Sequence, residues 1–217
     1  MQGSQGVKAY RTIERDSEIE LIIQKSRFLV RCFAVSDEAQ ATARLDEIRK
    51  RHWDASHNCY AFRIGSGGML SRSSDDGEPS GTAGAPILNA LARMELTNVL
   101  CVVTRYFGGI LLGAGGLIRA YSGAAADAAR AAGVIEMRPC AQLAVTMGYA
   151  DWAVAEGTVR KLGTVADVAF SDVVTASLWT ADEEAARVTA RLVDCTGGRA
   201  DIAVTGHDMR PHTPVET

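Results

Sequence analysis

Apolar and polar positions in the first two thirds of the chain follow two rhythms. Residues 13–24 and 27–35 alternate or run apolar with a period near two, which predicts a pair of strands forming a hairpin around Lys25 and Ser26. Ser36 then stands where a helix cap belongs, with Asp37 and Glu38 in the first turn at the positive end of the helix dipole. Ala41, Leu45 and Ile48 follow on one helical face. Residues 58–64 alternate again, with Asn58, Tyr60, Phe62 and Ile64 on one side of a strand and Cys59, Ala61 and Arg63 on the other. Pro86 suits a first helical position ahead of Ile87, Leu88, Leu91 and Met94. Residues 99–103 are apolar throughout, as in a central strand covered on both faces. An alanine-rich helix over 117–132 is closed by Gly133.

The rest of the chain has a simpler rhythm. A strand over 142–147 leads to a helix that turns Trp152, Ala155, Val159 and Leu162 to one side and ends at Gly163. Strands over 165–170 and 173–179 meet at Ser171 and Asp172. Thr180 and Glu183 have the spacing of a capping box for a helix with Ala185, Val188 and Leu192 inward. A strand over 199–205 completes a βαββαβ order, that of a ferredoxin-like sandwich. Residues 207–217, with two prolines, read as a flexible tail.

Charge divides the chain at the same place. Residues 1–138 hold 17 Lys and Arg against 15 Asp and Glu, whereas residues 139–217 hold 6 against 11. Two domains are expected, 1–138 and 139–206. Over all 217 residues the net charge is −3, which argues against a general nucleic-acid binder. No apolar run approaches the ~18 residues of a membrane helix, and the first twenty residues lack the apolar core of a signal peptide. A soluble, cytoplasmic protein is expected. The five cysteines are odd in number, widely spaced and without a Cys-x-x-Cys pair, so they read as reduced thiols packed like small hydrophobes.

Two segments escape both rhythms. Residues 71–86 pack three carboxylates (Asp75, Asp76, Glu78) and several hydroxyls between apolar segments. They fit an oxygen-ligand site for Mg²⁺, a turn in which Asp and Ser bond their own backbone, or a recognition loop. The glycine-rich stretch 104–119 lacks the Gly-Lys-Ser/Thr of a P-loop and the last glycine of the dinucleotide fingerprint. Its open amides before a helix, flanked by Arg105 and Arg119, suit an anion; equally, its glycines only permit tight turns. His57 and Cys59 share a strand face roughly 6.5 Å apart, too far for the ~3 Å contact of a nucleophile and its base.

Three blocks, His57-Asn-Cys-Tyr-Ala-Phe-Arg63, residues 73–84 and residues 104–123, together resemble the YigZ/IMPACT family, in order and over roughly residues 20–135. The βαββαβ half is similar to the small C-terminal domain of the bacterial branch. The resemblance implies an α+β protein whose first domain is of the ribosomal protein S5 domain 2-like type, a sheet with helices on one face, followed by the ferredoxin-like domain. It also implies binding rather than catalysis. Eukaryotic members regulate translation by competing for an activator of a stress-responsive kinase, and the C-terminal domain resembles one from translation factors. The expected partner is therefore the ribosome, RNA or a regulatory protein, with no cofactor, metal, catalytic residue or membrane called for. The alternative is a metal-assisted enzyme acting on a phosphorylated or carboxylated small molecule at Asp75, Asp76 and Glu78. Candidate binding residues are His57, Arg63, Arg72, Ser73, Ser74, Asp75, Asp76, Glu78, Ser80, Thr82, Arg105, Tyr106, Gly108, Gly109, Gly113, Gly115, Gly116 and Arg119. One departure from the pattern is Ala85, where relatives often carry a basic residue, which weakens an anion site at that helix start. The acidic half has only Phe170 and Trp179 as strand aromatics, so RNA affinity is expected from residues 1–138.

Overall fold

The computed structural model describes residues 8–212, which fall into two compact units, Tyr10–Glu136 and Met137–His212. The first unit is built on an antiparallel sheet of β2 (Ser17–Ile23), β3 (Ser26–Ala34), β6 (Val99–Tyr106), β4 (His57–Ile64) and β5 (Leu70–Ser74), in that spatial order. A short β1 (Tyr10–Ile13) precedes them. The chain breaks at residues 14–16, so the first strand expected over 13–24 starts at Ser17. The hairpin turn falls one residue earlier than expected: Ile23 pairs with Ser26, and Gln24 and Lys25 hold φ of 45° and 65°. Two left-handed residues are what a two-residue turn needs to match the twist of its strands.

The apolar run in β6 does lie at the centre and is buried on both faces. Val99, Cys101 and Val103 join the core beneath α2 (Gly84–Arg93) and α3 (Gly113–Ala131), together with Phe28, Val30, Cys59 and Ala61. Leu100 and Val102 join the opposite core, where α1 (Glu38–Arg51) lays down Ala41, Leu45 and Ile48 over Phe62 and Ile64. Helices therefore cover both faces, not one. Strands that are apolar on both sides leave no face that water can solvate cheaply. The cap of α1 is Asp37, not Ser36: its carboxylate accepts the Gln40 N–H at 2.8 Å. α3 begins four residues before the expected start, at Gly113, and Pro86 is the third rather than the first residue of α2.

The second unit carries β7 (Val134–Met147), which begins before the unit boundary, then α4 (Tyr149–Leu162), β8 (Thr164–Phe170), β9 (Val174–Ala181), α5 (Ala185–Cys195) and β10 (Asp201–His212). The sheet runs β8-β9-β7, with β10 on β7. Trp152, Ala155 and Val159 of α4 and Val188 and Leu192 of α5 close its core. The capping box is not formed. Thr180 stays paired to Ala141 within β9, its hydroxyl is buried without a partner, and residues 182–184 make a short 3-10 turn. β10 continues to His212, through the first part of the expected tail; residues 213–217 lie outside the described range. Among the described residues no helix is long and apolar enough to cross a membrane.

Candidate functional site

The polar segment after β5 is tied down by its own carboxylates. Asp75 accepts the N–H groups of Gly81 (2.8 Å), Ala83 (2.9 Å) and Gly84 (2.8 Å). Ala83 and Gly84 begin α2, so the anion that its N-terminus attracts is a side chain of this chain. Burial alone would raise the Asp75 carboxyl, but the three amides outweigh it and hold it below its ordinary value. Gly84 itself is required: a Cβ there would sit 2.7 Å from the Ser74 backbone. Asp76, at φ 44°, accepts the Asn58 N–H at 2.6 Å and lies 3.6 Å from Arg49. Ser74 accepts the Asp76 N–H, and Thr82 donates to the Pro79 carbonyl.

Glu78 turns inward. Its side chain is 3% exposed, and Oε1 accepts both Arg105 Nη1 and the Tyr121 hydroxyl at 2.6 Å. Arg105, 5% exposed, donates its second nitrogen to Ser26 Oγ (3.1 Å), which also accepts the Gly108 N–H (3.3 Å). The guanidinium lies 5.4 Å from the Phe28 ring centre and 5.5 Å from that of Phe107. His57 donates Nδ1–H to the Asp76 carbonyl, since a carbonyl only accepts, and its Nε2 faces Glu78 Oε2 at 3.9 Å. One buried network thus joins the hairpin (Ser26), the acidic loop (Glu78), β6 (Arg105) and α3 (Tyr121). Ser26 and Tyr121 were absent from the sequence-derived set. Nothing local marks them, because their partners lie 79 and 43 positions away.

This geometry redefines the candidates. Asp75, Asp76 and Glu78 bind different internal donors and do not converge, and among the described residues no group of three His, Cys, Asp or Glu is arranged for a metal ion. Cys59 donates to the Asp75 carbonyl (2.9 Å) and lies 3.5 Å from the Tyr121 hydroxyl; burial pushes its thiol up to about 12. It is not a nucleophile near neutral pH. Arg105 and Glu78 are buried against each other, at 5% and 3% exposure.

The glycine loop meets the hairpin tip. A Cβ on Gly108 would sit 1.9 Å from the Lys25 carbonyl oxygen, so only glycine allows this approach. Gly109 and Gly113 take left-handed φ of 85° and 69°, while Gly115 and Gly116 lie in the first turn of α3. Arg119 is exposed, with its guanidinium over Gly115. Tyr106 donates to Asp54 at 3.1 Å. Ser80 is exposed. Arg63, Arg72 and Ser73 are elsewhere. Arg63 occupies the far end of β4, holding the Leu96 and Gly67 carbonyls; Arg72 pairs with Glu38 of α1; Ser73 sits opposite Ala61 in β5. Phe107, Ile110 and Leu111 project into solvent from the loop, as does Trp53 from the turn before β4. An open groove of about 610 Å³ runs between α2 and α3, with Arg93 its one charged lining residue.

The Impact N-terminal domain family matches residues 24–129, from the hairpin tip to the last turns of α3. A Bacillus subtilis protein named IMPACT family member YvyE is 36% identical over 195 residues, covering 89% of this chain and 90% of its own. The chain belongs to the IMPACT family. IMPACT family member YigZ of Escherichia coli is 42% identical over 110 residues, 50% of this chain and 54% of the relative. Protein IMPACT-B of Xenopus tropicalis is 34% identical over 122 residues, 51% and 38% of the two chains. A solved structure titled "Crystal structure of an hypothetical protein" superposes with a TM-score of 0.59 at 28% identity, covering 92% of this chain and 98% of that one. Every member of the buried network (Ser26, Glu78, Arg105 and Tyr121) lies within the matched residues 24–129.

Proposed function

We propose that this chain is a non-enzymatic binding protein of the cytoplasm, associated with translation or its regulation, that contacts the ribosome, RNA or a regulatory protein through the loops of Tyr10–Glu136. The observation that carries the reading is the commitment of the loop carboxylates to internal donors: Glu78 to Arg105 and Tyr121, Asp75 to three amides. Groups so engaged hold loops in shape and leave other side chains to meet a partner, the usual division between rigid scaffold and recognition loop. The translation context comes from the family resemblance and is a fold-level warrant. Sedimenting the purified chain with ribosomes at moderate salt tests it. The chain is expected in the ribosomal pellet. Recovery in the supernatant overturns the reading, and a thermal shift from one nucleotide that depends on Mg²⁺ favours an enzyme instead, by mass action on the folded state.

A further inference from the structure

Three turns meet at one end of the first sheet. Ser56, in the turn before β4, donates its N–H to the Arg105 carbonyl (2.9 Å), and its hydroxyl accepts the Phe107 N–H (3.1 Å). Gly108 then packs against the Lys25 carbonyl at the hairpin tip. On this tied base stand two exposed aromatic rings, Trp53 at 83% exposed and Phe107 at 48%, the second resting against the Arg105 guanidinium on its inner side. Three exposed cations belong to the same turns: Lys25 at the hairpin tip, and Lys50 and Arg51 at the end of α1, which leads directly into the Trp53 turn. Among the described residues none of the three is in an ion pair, whereas Arg27, Arg44 and Arg49 of the same unit each hold a carboxylate. The nearest acid to Trp53 in the turn, Asp54, accepts the Tyr106 hydroxyl. Exposed ring faces cost solvation, and unpaired cations repel one another across such an end; both are relieved by a polyanion that carries flat, stackable groups.

We propose that this end of the sheet binds single-stranded RNA, with bases stacked on Trp53 and Phe107 and phosphates held by Lys25, Lys50 and Arg51. The inference rests on the translation-associated reading above and names the partner chemistry of its loops. Ring stacking needs no base identity, and cations on separate elements, the hairpin and the end of α1, track a backbone rather than clamp one phosphate, so recognition is tolerant of sequence. The overall acidity of the chain does not oppose this, because its surplus of negative charge lies after residue 138.

The test is fluorescence anisotropy of the full chain with a labelled, mixed-sequence single-stranded RNA of about 12 nucleotides, at about 50 mM salt and upward. Trp53→Ala and Phe107→Ala should each weaken binding by about 5- to 150-fold, the range of one lost stacking contact. Trp53→Phe, which keeps a ring, should restore most of it. Lys25→Ala with Lys50→Ala should lower the slope of log affinity against log salt by about 1.4, at about 0.7 per phosphate on a single strand. Arg191→Ala, on α5, should change nothing. Unchanged affinity in Trp53→Ala and Phe107→Ala overturns the site. No RNA binding by a chain that still sediments with ribosomes overturns the RNA inference alone and points to a protein partner. RNA binding as described, by a chain that does not sediment with ribosomes, overturns the translation reading and leaves the RNA surface standing.

Discussion

Arg105→Ala removes the cation from a carboxylate that has almost no access to water. Glu78 is left buried at 3% exposure, with only the Tyr121 hydroxyl on its Oε1 and His57 at 3.9 Å from its Oε2. Breaking a buried pair from one side costs about 3–5 kcal/mol, because the surviving charge keeps its desolvation penalty and loses its compensation. At a few degrees per kcal/mol for a unit of this size, the melting temperature should fall by about 10–20 °C. Tyr121→Phe deletes one hydrogen bond to a charged acceptor and should cost less, about 1.5–3 kcal/mol. Glu78→Gln combined with Arg105→Met should recover much of the loss, since a pair replaced on both sides leaves no orphaned charge. Thermal and urea unfolding followed by far-UV circular dichroism measure these differences, and amide exchange along β6 assigns them to the first unit. An Arg105→Ala protein within about 1 kcal/mol of the parent, in the range of ordinary surface substitutions, refutes the argument. So does a double variant less stable than the single one.

Asp75→Asn should destabilise by about 1–3 kcal/mol at neutral pH through its weakened amide bonds. The parent carboxyl is held below its ordinary value of 3.8, so its contribution is complete above that pH and is lost as pH falls through the lower folded value. The asparagine variant should show a flatter acid limb in urea midpoints against pH, and a parallel limb contradicts the role given to the three amides. Cys59, with its thiol pushed up to about 12, should be alkylated at pH 8 only through global unfolding; rapid labelling of the native chain, read by mass spectrometry, contradicts its burial. Gly108→Ala should destabilise by about 1–3 kcal/mol from its clash with the Lys25 carbonyl. Gly123→Ala, in open space on α3, should stabilise by about 0.5–1 kcal/mol. Equal signs in thermal melts of the two glycine variants contradict that contrast.

Where periodicity alone decides structure, the sequence was readable. The apolar run of β6, the inward face of α1 and the βαββαβ order of the second unit all follow from spacing, because burial selects them directly. Choices between neighbouring acceptors or registers were not readable. Ser36 and Asp37 are both good caps, and only the backbone geometry gives Gln40 to the carboxylate. Thr180 and Glu183 have capping-box spacing, yet pairing with β7 keeps Thr180 in the strand. α3 starts earlier than expected, its first turn running through Gly113, Gly115 and Gly116 although glycine is a poor helix former. β10 outran its expected end because an edge strand tolerates Pro211. The candidate site divides along the same line. The loops were visible as breaks in rhythm, but the Glu78–Arg105–Ser26–Tyr121 network spans separations of 27, 79 and 43 residues, which no local pattern encodes.

That network also explains why residue chemistry misled. A carboxylate in a polar loop and an arginine at a strand end look like contact groups, yet the Glu78–Arg105 pair is 3% and 5% exposed, and Trp53, an apolar residue in a short turn, is among the most exposed. The two kinds of residue carry different jobs, and their variants should separate. Arg105→Ala loosens the hairpin, the acidic loop and α3 together, so it should lower stability and weaken RNA binding as one linked effect that recedes on cooling toward the temperature of maximum stability. Trp53→Ala touches nothing in the core and should weaken RNA binding at every temperature while leaving the melt in place. A Trp53→Ala protein that melts as early as Arg105→Ala would mean that the exposed ring belongs to the scaffold after all, and the division between base and contact surface would fall with it.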